Sequence, residues 1–231
     1  MFLFGTLWVS SNFIGCGKNA SSFHPLTEGM TWEYQLSWDS NWTDDVTKKY
    51  LATNLAPRDL GGTKVVPQKT EIDEIISFYF IAEDDSGIFT FAEQSKGDID
   101  PKIKPYRDYF IKYPIKVGAS WEVNTPDIYV YSSKQRVPGT IKYIIESLND
   151  VVTVAAGNFA KCLKVKSEST LRIYIEDFGE ANVSRQTYAW YAPEIGGVKY
   201  KLTEHTDKYI PRINATPFME FSSQLVSFKS K

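Results

Sequence analysis

Alternation with a period of two is the feature of this sequence that most restricts its fold. Met30, Trp32, Tyr34, Leu36 and Trp38 alternate with Thr31, Glu33, Gln35, Ser37 and Asp39. In an extended chain successive side chains point to opposite sides, so this segment is a strand with one apolar and one wet face. The pattern returns at Leu171, Ile173 and Ile175, interleaved with Arg172, Tyr174 and Glu176. It returns again at Val198, Tyr200 and Leu202, interleaved with Lys199, Lys201 and Thr203. Ile141, Tyr143 and Ile145 follow it in part, with Ile144 interrupting the polar side. Near the C-terminus Met219, Phe221 and Leu225 share one parity, while Phe218, Val226 and Phe228 occupy the other, as in a strand covered on both sides.

Ile75, Ile76, Phe78, Tyr79, Phe80 and Ile81 are apolar on both parities and read as a central, doubly buried strand or as one lining an interior. The acidic run Glu83 to Gly87 after them predicts a hairpin returning through Ile88 to Phe91. No stretch carries a strong 3.6-residue stripe. The best helix candidate is Tyr50 to Leu60, which Pro57 limits. Loops are expected at Ala56 to Thr63, Ser95 to Tyr106 and Thr206 to Pro217. None has the length or bias of an interdomain linker. The expected architecture is therefore all-β: one antiparallel domain over residues 23–231, folded as a strongly curved sheet or partly open β-barrel.

Composition narrows the function classes. Aromatic residues are 15 % and charged residues 23 %, enough for a packed core, and the net charge is −2. Acids and bases are spread along the chain, so there is no dense basic face of the kind that nucleic-acid binding requires. Two His and two Cys leave little material for metal or nucleophile chemistry. Asp98 and Asp100 lack the further oxygen donors of a calcium loop, and no phosphate-binding Gly-rich loop, His-x-x-x-His pair or Gly-x-Ser-x-Gly elbow occurs. No metal or cofactor is expected, and no catalytic residue stands out.

The two cysteines differ in context. Met1 to Gly15 contains no charged residue and is rich in Phe, Leu, Trp, Val and Ile. It is too short for a spanning helix, which needs about 20 apolar residues, but it fits the core of an export signal. Phe13-Ile14-Gly15-Cys16 resembles the bacterial lipobox, in which a small residue precedes the cysteine that is lipidated. Phe13 stands where Leu is usual, and the Lys or Arg common near the start of such signals is missing. The expected organisation is a signal peptide over 1–15, a lipid-bearing Cys16 with a polar tether over 16–22, and the domain. The alternative is a hydrophobic first strand with an incidental cysteine. Cys162 then has no partner and is expected to be structural; its parity with Lys164 and Lys166 puts it on the wetter face.

An internal echo organises the domain. His24-Pro25-Leu26-Thr27-Glu28-Gly29-Met30-Thr31-Trp32-Glu33 aligns without gaps to Tyr113-Pro114-Ile115-Lys116-Val117-Gly118-Ala119-Ser120-Trp121-Glu122. Each is a Pro-led extended lead-in, a Gly able to take positive φ, and a strand whose first large inward residue is Trp. Two similar sheet halves, or two hairpins repeated within one curved sheet, would produce it.

Three segments together resemble a family of exported bacterial proteins, many of them lipoproteins, whose domain has no assigned activity. They are the Pro-x-x-x-Gly-x-x-Trp lead-in, Val152-Thr153-Val154-Ala155-Ala156-Gly157-Asn158-Phe159 continuing through Cys162 and Val165, and Tyr191-Ala192-Pro193-Glu194-Ile195-Gly196-Gly197-Val198. Ala155 stands where the family has Pro. The resemblance implies a β-rich envelope domain and carries over no catalytic residue.

Trp32, Tyr34, Trp38, Phe78, Phe80, Trp121 and Trp190 are more large rings than a compact sandwich needs. They either line the interior of a curved sheet that holds a lipid or other apolar ligand, or fill its core, which is the simpler reading. The expected function is non-catalytic: a protein of the bacterial cell envelope, at the periplasmic face of the outer membrane or at the cell surface. It would be attached to the membrane through a lipid on Cys16, and would bind an apolar ligand or dock an envelope protein partner. A structural lipoprotein with a filled core is the alternative, and a glycan- or peptide-acting hydrolase the weakest reading.

Overall fold

The computed structural model describes residues 23–41, 46–131, 133–175, 179–209 and 216–230. The signal segment over 1–15, Cys16 and the tether over 16–22 lie outside these residues. The described chain forms strands only: β1 (Thr31–Ser40), β2 (Val46–Asn54), β3 (Arg58–Leu60), β4 (Thr63–Ile72), β5 (Ile75–Asp84), β6 (Gly87–Gln94), β7 (Lys102–Lys112), β8 (Ser120–Val130), β9 (Gln135–Val154), β10 (Gly157–Ile175), β11 (Gly179–Ala192), β12 (Gly196–Thr206) and β13 (Phe218–Lys229). All pairings are antiparallel, in the order β7-β6-β5-β4-β2-β1-β13-β12-β11-β10-β9-β8, with the short β3 paired to β4. The sheet rolls up until its two edge strands, β7 and β8, face each other without a backbone ladder. The result is a barrel with one unsealed seam.

Local expectations were overridden in several places. Tyr50 to Asn54 is strand, not helix, because it pairs with β1 on one side and β4 on the other. The predicted loop at Ala56 to Thr63 contains β3, which returns into β4 through Gly61 and Gly62 at φ 57° and 77°. Two consecutive positive φ values are what a tight hairpin turn needs, and glycine supplies them without steric cost. The expected loop from Ser95 to Tyr106 is shorter, since Lys102 and Ile103 already pair with Glu93 and Ala92. The hairpin after β5 is present, with Asp84 accepting from the Ser86 and Gly87 amides. The strand β5 is buried on both faces only from Phe80 to Ala82; Ile75 and Ile76 stand exposed at its start.

The sequence echo is a structural duplication. Gly29 and Gly118 both adopt φ 83°. Gly29 donates to Asn54 O and Gly118 to Ile145 O, while Met30 O and Ala119 O accept from the amides of the same two partners. Each lead-in therefore docks on the strand that follows its own. The barrel is two six-stranded meanders, β1-β2-β4-β5-β6-β7 and β8 to β13, joined through the β1–β13 ladder. The equivalent junction, β7 against β8, is the open seam. Pro105 in β7 and Pro126 in β8 lack the N–H a ladder requires, and the pairings of both strands with their neighbours are bulged. Side chains bridge instead: Trp121 Nε1 donates to Tyr109 O at 2.9 Å, and Tyr106 Oη lies 2.6 Å from Thr125 Oγ1.

The ladder between β9 and β10 is also incomplete. It ends at the Glu168–Lys142 pair, beyond which β10 pairs only with β11 and β9 only with β8. The arms diverge around a cluster of Ile128, Val130, Leu171, Ile173, Ala181 and Val183. At their tips the Gln135 side-chain amide donates to Tyr174 O and accepts from Tyr174 N. A break in the wall is thus bounded by backbone pairing at one end and by one side-chain amide at the other.

Candidate functional site

The inner face is identified by residues that only the concave side of a rolled sheet can bring together. His24, Trp32, Tyr34, Tyr50, Ala52 and Gln68 from the first half line a cavity of about 100 Å³ with Tyr191 and Gly197 from the second. Trp32 Nε1 donates to Ile195 O at 2.6 Å, and Tyr34 Oη to Gly197 O at 2.9 Å. Burial raises the Tyr34, Tyr143 and Tyr191 hydroxyls well above the usual phenol range, so all three stay neutral.

The base of the barrel is filled. Met30, Trp32, Ala52, Val152, Val154, Cys162, Ala192, Val198 and Leu225 form one cluster. Ile81, Ile88, Ile111, Trp121, Val123, Ile145, Leu163 and Val165 form another. Asn54, 1 % exposed, pins the first lead-in by donating to Pro25 O and Thr27 O, and accepts from Gln68. Nothing in the local pattern distinguishes Asn54 from a loop asparagine, because its partners are remote or on another strand.

Cys162 lies in the first cluster, fully buried, and not on a wet face. Lys161 takes φ 57° and the β9–β10 register shifts on both sides of Cys162, which resets the alternation. Burial pushes its thiol up to about 11. Cys162 is therefore expected to resist alkylation in the native protein at neutral pH and to react fully once unfolded, as a timed iodoacetamide reaction read by mass spectrometry would show.

The seven predicted ring positions are dispersed. Trp32 and Tyr34 line the cavity just described. Trp38 packs on Phe221 at 5.0 Å between centroids, and Phe221 in turn meets Tyr131 and Tyr200. Trp121 stacks on Tyr143 at the seam, at 5.1 Å and 3°. Phe80 packs with Val65, Ala82, Phe89 and Ala92 on the face opposite the cavity, with Phe78 alongside and the Arg58 guanidinium of β3 over its ring. Trp190 is on the face opposite Tyr191, where it donates to Asp150 at 2.9 Å and is flanked by Lys164 and Lys199.

Away from the base the inner face changes character. A second cavity, about 130 Å³, is lined by Phe110, Tyr143, Val165, Ser169, Arg185 and Tyr200, among others. Arg185 Nη1 donates to Tyr129 O at 3.0 Å and stands 3.8 Å from the fully buried Glu204 carboxylate. Arg185, Tyr143 and Tyr200 were not among the site residues expected from the sequence; their only signal is an inward parity that polar residues share with apolar ones. Farther from the base, at the mouth, the side chains of Val46, Ile75 and Tyr79 keep the inward parity, yet they are 39 %, 57 % and 39 % exposed. Lys48, paired with Asp73 at 2.7 Å, shares this rim. Among the described residues no group of His, Cys, Asp and Glu could hold a metal ion, and no helix is long and apolar enough to cross a membrane.

No protein-family model and no curated protein matches the chain. Two solved structures are similar to it. One is a candidate exported protein with a YmcC-like fold from Bacteroides fragilis NCTC 9343, 14 % identical over 90 % of this chain and 99 % of that one, with a TM-score of 0.38. The other is a candidate lipoprotein from Parabacteroides distasonis ATCC 8503, 16 % identical over 92 % of this chain and 100 % of that one, with a TM-score of 0.44.

Proposed function

We propose that this is a non-catalytic protein of the bacterial cell envelope, held by lipid on Cys16, whose barrel mouth binds an apolar group. The observation that carries the binding reading is the contrast between the two ends of one inner face. Trp32 and Trp121 at the base are 3 % and 6 % exposed, while Val46, Ile75 and Tyr79 at the mouth are left open to solvent. Barrel mouths are a common place for ligands, and inward apolar side chains without cover gain stability when something covers them. The group is seated at the mouth and not engulfed. The inner cavities of about 130 and 100 Å³ compare with the ~150 Å³ that holds one benzene ring, and are too small for an acyl chain. The anchor reading rests on the uncharged leader and on Gly15-Cys16. Docking of an envelope partner on the same rim is the second reading, favoured by the filled base.

Native mass spectrometry of the full chain expressed in a bacterial host tests both parts. The expected result is loss of Met1 to Gly15, a diacylglyceryl group on Cys16, and a co-purified apolar molecule that the Ile75→Asp variant no longer carries. Unmodified Cys16 in a chain retaining Met1 would remove the anchor reading. A domain that is bare in both wild type and variant would remove ligand binding.

A further inference from the structure

The 130 Å³ cavity near Arg185 adjoins a second space on the side of the wall where β9 and β10 part. Outside the barrel, where β9 and β10 diverge, lies an open hollow of about 720 Å³ lined by polar residues including Thr140, Lys142, Gln186 and His205. Glu168, Ser169 and Arg185 belong to the linings of both the hollow and the inner cavity. At the broken ladder these three residues are the throat between the hollow and the cavity.

Ser169 Oγ is buried there without a hydrogen-bond partner. A buried hydroxyl left unpaired costs roughly 1–3 kcal/mol, so such a group marks a place where something else belongs. The Arg185 guanidinium has five N–H donors, of which its bonds to Tyr129 O and to the Tyr200 side chain use two. The carboxylate of Glu168 at the throat is already engaged, by Lys166 at 2.7 Å and Gln186 at 2.9 Å. Behind the throat the walls are Phe110, Tyr143, Val165 and Tyr191, with room for about one ring. We propose that this cavity binds a small carboxylate with a single-ring apolar body, which enters between β9 and β10. Its carboxylate accepts from Ser169 and the forked donors of Arg185, and its ring lies among the aromatic walls. Sharing Arg185 with Glu204 weakens the site relative to an unpaired guanidinium, and the throat admits the ligand without opening the seam.

Benzoate is the probe and benzyl alcohol its neutral counterpart, titrated into the whole domain with backbone-amide NMR as the readout. Benzoate should bind saturably with shifts centred on Ser169, Arg185 and Thr187, and benzyl alcohol about tenfold more weakly. Ser169→Ala, which removes only the hydroxyl, should weaken benzoate about fivefold. Ala189→Phe should fill the cavity and abolish binding. Ile75→Asp at the mouth should leave it unchanged, so this site and the mouth can fail separately. The proposal is overturned if benzoate shows no saturable shifts up to about 10 mM, the weak limit of ligand recognition. Equal affinity for benzyl alcohol, or unchanged benzoate binding in Ser169→Ala, would overturn it as well, leaving ordered water as the partner of Ser169.

Discussion

Replacing Trp121 by alanine is expected to cost about 4 kcal/mol of folding stability, the upper range for removing a buried aromatic. Trp121 is 6 % exposed, stacks flat on Tyr143, and belongs to the cluster that closes the base beside the seam. Its indole N–H also bonds Tyr109 O, one of the few direct links between β7 and β8. Trp121→Phe should keep most of the packing but lose that bridge, at about 1–2 kcal/mol. Urea unfolding read by circular dichroism gives both numbers. The seam predicts a further signature: amides of β7 and β8 should exchange hydrogen faster in both variants, while those of β1 and β13, held by a full ladder, should not. A Trp121→Ala protein that loses less than about 1 kcal/mol would show that the seam does not depend on this bridge.

Acid is expected to destabilise the fold through His24. Both ring nitrogens are shielded from solvent and lack hydrogen-bond partners, and the ring packs edge-on against Phe110 at 4.9 Å. Burial lowers its pKa from 6.5 to about 4. Between those values the unfolded chain binds a proton at His24 that the folded chain refuses, so protons favour unfolding. The contribution is absent above pH 6.5, grows as pH falls, and levels off below pH 4. Its full size is roughly 3 kcal/mol, because each tenfold loss of proton affinity on folding is worth about 1.4 kcal/mol. His24→Phe keeps an aromatic ring in the same place and should flatten stability between pH 6.5 and 4. Equal slopes for wild type and variant across that window would falsify the assignment to His24.

Much of the barrel was legible because strand period and core period are the same signal. Wherever one face was wet, as at Trp32, Tyr34 and Leu36, alternation located both the strand and its buried side. The echo was legible too, since a positive-φ glycine followed by a buried tryptophan is a local requirement that two segments met alike. What failed did so where a neighbouring strand outranked local preference. Tyr50 to Asn54 became strand because two ladders claimed it. Cys162 turned inward because a register shift beside Lys161 reset the parity. Phe78 and Phe80 face away from the cavity because β3 covers them there, and nothing in their own alternation told inside from outside.

By itself the sequence determined an antiparallel β protein built from two like-starting halves, with little material for metal or nucleophile chemistry. Side-chain alternation, glycine conformation and residue inventory are properties of the chain alone. Only the tertiary structure decided which junction between the halves would zip and which would stay open, since Pro105 and Pro126 matter only once β7 and β8 meet. It also decided that Ser169, Arg185 and Tyr143, on three different strands, share one cavity. Such juxtapositions depend on how far the sheet rolls and where its ladders stop, and neither quantity is written in any single strand.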